Sequence, residues 1–144
     1  MKNTKECATI HIVNSQIMGG EKSRMEFNSE CEFYKNNGDI FITYQEPHEN
    51  GTEGARVFLK IQKNSVCMRR MGDFKSVLTY DKSKITDATY RTPFGAVDMR
   101  IKTSLIENKL SESGGSLKIN YTLYLADDEI ENEILLKIIK EQKI

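Results

Sequence analysis

Apolar and polar residues alternate with a period of two along most of this chain, the pattern of strands that turn one face to a core and the other to water. Leu117, Ile119, Tyr121, Leu123 and Leu125 give the cleanest run. Met25, Phe27, Cys31 and Phe33 alternate with Glu26, Asn28, Glu30 and Glu32. Ile40, Ile42 and Tyr44 follow, and the same parity carries Glu46 and His48 beyond them. Ala55, Val57, Leu59 and Ile61 alternate with Arg56, Lys60 and Gln62. Val66, Met68 and Arg70 share a parity, as do Phe74, Ser76, Leu78 and Tyr80, and then Thr86, Ala88 and Tyr90. Near the start two apolar sets interleave, Ala8, Ile10 and Ile12 against Cys7, His11, Val13 and Ile17, so the inward face of that strand is open.

The stretch from Thr89 to Thr103 organises the rest: a strand, a tight corner at Thr92-Pro93-Phe94-Gly95, and a second strand. Pro93 lacks an N–H and fixes φ, which suits the second position of a turn. Gly95 suits the last position, and the proline pushes Thr92 towards extended geometry. Val97, Met99, Ile101 and Leu105 then alternate with Asp98, Arg100 and Lys102, and Thr103 interrupts the apolar face.

Turn residues punctuate these runs. Asn36-Asn37-Gly38 supplies residues tolerant of positive φ, and Asn50-Gly51, Lys63-Asn64, Asp81 to Lys84 and Asp127-Asp128 mark further turns. Met18 to Lys22 reads as a flexible loop and Glu107 to Ser113 as a polar loop closed by Gly114-Gly115. The last segment is ambiguous: Ile130, Ile134, Leu135, Ile138 and Ile139 fit helical spacing, whereas Ile130, Ile134, Leu136 and Ile138 fit a strand. Helix propensity favours the first on local grounds. Counted together, about nine or ten short strands with tight connections predict an all-β antiparallel meander, which hides its edges most simply by closing into a barrel.

The chain has 144 residues and reads as one domain, 1–144, with residues 1–5 a polar tail. Lys plus Arg and Asp plus Glu both number 21, and no basic stripe offers a nucleic-acid surface. No apolar run approaches the ~18 residues of a membrane span, and no signal-peptide core follows Met1, which points to a soluble cytoplasmic protein. Cys7, Cys31 and Cys67 show no Cys-x-x-Cys spacing and read as reduced, small apolar side chains. His11 and His48 lie far apart, so no metal or other cofactor is expected.

Tyr44-Gln-Glu46-Pro-His48, Arg70-Met-Gly72, Tyr90-Arg-Thr92-Pro93-Phe94-Gly95, Thr103 and Gly115-Ser-Leu117-Lys-Ile119-Asn-Tyr121 follow one another in an order similar to the YwiB-like proteins. These are small bacterial β-barrels of unknown function, grouped with the lipocalin-like calycins. The likeness runs from about Thr9 to about Lys137. It implies a closed or nearly closed antiparallel barrel of about eight to ten strands, cytoplasmic, whose last segment is a strand. It brings no activity, cofactor or ligand. Arg69 beside Arg70 departs from the pattern and leaves open which arginine points inward.

In a barrel the residues of the apolar parity face the interior. On that rule Tyr44, Glu46, Arg70, Thr92, Thr103 and Tyr121 point inward near strand ends, where a mouth would be. A buried charge without a partner is expensive, so Arg70 and Glu46 should pair or meet a ligand. One reading is a pocket in which Arg70 binds an anionic group, tyrosines orient it, and Leu117, Ile119, Val97 and Met99 wall the apolar part. The other is an internal hydrogen-bond network that fixes register in a filled barrel, whose outer face or unpaired edge docks a partner or a second copy of the chain. Catalysis is disfavoured. No serine sits in a Gly-x-Ser-x-Gly elbow, and Gly19-Gly20 and Gly114-Gly115 are hairpin-like rather than phosphate loops. A thioesterase- or hydratase-like enzyme would have to work at Glu46 and His48, where His48 reads as a loop residue or a cap on Glu46. Tyr34, Tyr80 and Tyr124 read as strand residues with wet hydroxyls.

Overall fold

A computed structural model describes residues 6–47 and 54–140. Ten strands follow one another in it: β1 (Glu6–Met18), β2 (Glu21–Asn36), β3 (Asp39–Gln45), β4 (Arg56–Ile61), β5 (Ser65–Met71), β6 (Lys75–Asp81), β7 (Thr86–Thr92), β8 (Gly95–Ser111), β9 (Gly114–Leu125) and β10 (Asp128–Lys140). Each pairs antiparallel with its neighbour in sequence, and β1 also pairs with β10, so the meander closes as a barrel. None of the described residues is helical.

All ten strands contribute to one apolar core. Ala8, Ile10 and Ile12 settle the inward face of β1, and Phe33, Ile42, Val57, Ile61, Val66, Ile101, Leu117, Ile119 and Leu136 are almost wholly buried inside. The barrel is therefore filled by its own side chains through most of its length.

Three segments differ from the local sequence reading. The last one is a strand: β10 pairs residue for residue with both β1 and β9, and Ile134, Leu136 and Ile138 enter the core. Closing the barrel supplies two hydrogen-bonding neighbours, which outweighs a helix propensity of a few tenths of a kcal/mol per residue. The Met18–Lys22 loop is a two-residue turn, Gly19 and Gly20 having φ of +58° and +81°, between strands paired through Met18 and Glu21. The polar loop at 107–113 is mostly strand. A bulge between Thr103 and Leu105 shifts the register of β8 on β9, so Met99, Ile101 and Thr103 face inward before it and Ile106 and Leu110 after it. That change of parity hides the alternation.

The wall is weakest between β6 and β7. They pair only at Lys75 with Arg91 and Ser76 with Tyr90, although both strands run on towards the Asp81–Thr86 turn. Towards that turn the Thr86 hydroxyl, not a main-chain amide, donates to the Thr79 carbonyl at 2.5 Å.

Candidate functional site

The last residues of β3 and β5 and the first of β6 lie side by side at this weak seam. Tyr44 stands opposite Val57, Val57 opposite Arg70, and Arg70 opposite Ser76, a row running from β3 to β6. Glu46 lies just beyond β3, held by its amide, which donates to the Ala55 carbonyl at 2.9 Å. From there its Oε2 accepts from Arg70 Nη2 at 2.8 Å. Of the neighbouring arginines, Arg70 is the inward one and Arg69 is exposed.

Arg70 is the electrostatic centre of the cluster. Burial works against its charge, but Glu46, and then Tyr44, Tyr80 and Tyr121, more than offset that and raise its pKa above the ordinary guanidinium value. Burial likewise raises the phenols of Tyr44, Tyr80 and Tyr121, with the Arg70 charge opposing it in each. Tyr80 and Tyr121 pack tilted, ring centroids 4.7 Å apart. Thr103 stands opposite Tyr121, and Tyr121 opposite Asn132.

Five of the six candidates thus lie together: Tyr44, Glu46, Arg70 and Tyr121 in one electrostatic cluster, with Thr103 beside Tyr121. Thr92 does not join them. Its hydroxyl accepts from the Phe94 amide at 3.1 Å and donates to the Gly95 carbonyl at 3.1 Å, so the corner consumes it. Val97 is no pocket wall either, since residues 95–98 are exposed on both faces and the hairpin tip stands clear of the core. Leu117 and Ile119 are sealed in the packed interior. His48 lies outside the described residues.

Two members were not read as site residues. Tyr80 is wholly buried, not wet, and Ser76 is buried on the same face of β6. Their shared parity with Leu78 was the available signal. Ser76 Oγ and Arg70 Nε are buried with no hydrogen-bond partner among the described residues. Arg70 and Ser76 also line a cleft of about 560 Å³ that opens sideways over β5, β6 and β7. Met71, Val77 and Ala88 give it apolar walls, and Arg69, Lys75 and Arg91 give it cations. Asp87 is its one acidic lining residue, 3.5 Å from Arg100 on the far side of β7. The cleft lies on the side of the barrel, over β5, β6 and β7.

A family model described as a domain of unknown function (DUF1934) matches residues 10–136. A Bacillus subtilis (strain 168) protein described as the uncharacterized beta-barrel protein YwiB is 23% identical over 121 residues, 84% of each chain. The crystal structure of the B. subtilis YwiB protein superposes with a TM-score of 0.87 at 19% identity, covering 96% of this chain and 94% of its own. At that identity the likeness establishes the closed barrel and carries no site residue across.

Proposed function

The chain belongs to the DUF1934 family, and from that premise we propose that it is a non-enzymatic binding protein for a small amphipathic anion. The anionic head docks on Arg70 and Ser76 at the floor of the seam cleft, and the apolar part lies along Met71, Val77 and Ala88. One observation carries this reading: Arg70 and Ser76, whose Nε and Oγ are buried without hydrogen-bond partners among the described residues, both line an open cleft. A buried donor left unsatisfied costs about 1–3 kcal/mol. An oxyanion accepting a hydrogen bond from either would recover that cost. The cleft's volume of about 560 Å³ is of small-molecule size.

A catalytic use of Ser76 is not supported by its surroundings. A serine nucleophile needs a base within hydrogen-bond reach. The cleft lining contains no histidine, and its one carboxylate, Asp87, leans towards Arg100. The filled core argues against a ligand deep in the barrel. Isothermal titration against a panel of aryl and alkyl carboxylates, sulfonates and phosphates tests the proposal. Wild type should bind at least one class, and Ser76→Phe, which fills the floor of the cleft, should abolish the heat while a folded spectrum persists. Binding that survives Ser76→Phe places the ligand elsewhere.

A further inference from the structure

β2 outruns one of its neighbours. It pairs with β1 from Glu21 to Phe33 but with β3 only from Cys31 to Asn36, because β3 has 7 residues to its 16. Ser29 Oγ donates to the Gln45 carbonyl at 3.0 Å and closes the join at that level. Beyond it, Lys22–Asn28 has no strand on its second side among the described residues. Along an antiparallel strand, successive residues send N–H and C=O to alternate sides. Counted from the two-residue turns that join Met18 to Glu21 and Asn36 to Asp39, the odd-numbered residues of β2 bond to β1. Lys22, Arg24, Glu26 and Asn28 therefore turn their main-chain groups to the open edge. These four are exposed on the outer face, and Met25 and Phe27 are half-buried on the inner one.

We infer that this edge is completed by the same edge of a second copy of the chain, β2 running antiparallel to β2 about a two-fold axis at Met25. The order of the charges selects this occupant. Charged side chains commonly ward other strands off an edge, but here Lys22 and Arg24 precede Glu26. A parallel neighbour of the same sequence would set like against like. An antiparallel one sets Arg24 against the partner's Glu26 on both sides of the axis, and Lys22 against the partner's Asn28. The extent of the open edge sets the register: Lys22–Asn28 is centred on Met25, so pairing about Met25 uses all of it. The facing residues then exchange about eight main-chain hydrogen bonds, two per pair, and Met25 meets the partner's Met25 across the axis. Arg24 already lies 2.7 Å from Glu26 of its own chain, so the dimer joins two exposed ion pairs into one network.

Sedimentation of the full chain at concentrations up to about 1 mM tests it. Wild type should show a species of twice the 16.5 kDa chain. Arg24→Glu and Glu26→Arg are exposed changes that leave the core untouched. Each should weaken self-association about tenfold or more, since each sets like charges against each other on both sides of the axis. An equimolar mixture of the two variants should recover the dimer, because opposite charges then face each other at both positions. Mixing does not cure a folding defect, so recovery reports the contact itself. For the register, in a Cys7→Ser background Met25→Cys should cross-link to the partner's equivalent position on oxidation, at the Cα spacing of a facing pair, and Phe27→Cys should not. A chain that stays monomeric over the whole range leaves the edge to another occupant and overturns the inference. Single variants that dimerise as tightly as wild type, a mixture that stays monomeric, or cross-linking through Phe27→Cys in place of Met25→Cys also overturn it.

Discussion

Arg70 donates to Glu46 at 2.8 Å across 24 residues of sequence, tying the end of β5 to the segment that leaves β3. Both side chains are largely buried, at 26% and 17% exposure, so each depends on the other for its charge to be tolerated. The same residue that fixes this part of the wall also lines the cleft. Scaffold and site share one residue.

Removing one partner should therefore cost more than removing both. Arg70→Met leaves the Glu46 carboxylate buried and unpaired, and should destabilise by about 3 kcal/mol near neutral pH, the lower end for a pair with some solvent contact. Arg70→Met with Glu46→Gln should recover most of the loss, and urea titrations of wild type, the two single variants and the double variant measure it. A double variant no more stable than Arg70→Met would show that the pair is not what its geometry says.

The corner at Gly95 makes a backbone prediction. Gly95 has φ of +138°, where side-chain-bearing residues are strained, while nothing lies within 4 Å of a Cβ built on it. Gly95→Val should thus destabilise by about 1–3 kcal/mol through strain alone. Gly95→Ala should come close to it, because the room for a side chain is already there. Thermal denaturation of the two variants distinguishes strain from crowding, in which only valine would be costly.

Much of the barrel was legible in the residues, because a filled barrel enforces period-two alternation and most strands keep it from end to end. Legibility stops where a long-range partner decides. The bulge at Thr103–Leu105 reverses the inward parity of β8, so Ile106 and Leu110 look misplaced until β9 is seen beside them. β10 looks helical until β1 and β9 flank it. At the site, parity grouped Tyr44, Glu46, Arg70, Thr103 and Tyr121. It took in Thr92, whose hydroxyl serves its own turn, and missed Tyr80 and Ser76 as polar partners. The cleft had no local sign at all, since it is lined from three strands that only the fold brings together.

The cysteines should report burial in order. Cys7 is exposed, Cys67 intermediate and Cys31 in the core. Burial, with a smaller contribution from Cys7, pushes the Cys31 thiol from its ordinary 9.0 up to about 11. A thiol reagent should modify Cys7 first and Cys31 last, at a rate set by opening of the fold. Because the folded protein holds the Cys31 proton to higher pH than the unfolded chain does, this contribution to stability is lost as pH rises from about 9 towards 11. Wild type should therefore lose melting temperature over that interval more steeply than Cys31→Val. Parallel curves would contradict the shift.

The central claim is that an anion enters through the β6–β7 seam and rests on Arg70 and Ser76. Amide chemical-shift mapping during a phenyl phosphate titration tests it most directly. The account predicts saturable shifts concentrated at Arg70, Ser76, Ala88 and Arg91, with those of Ile119 and Leu136 in the far core unmoved. Shifts centred on the packed interior or on the β1–β10 face, or none at concentrations where the ligand binds, would contradict it.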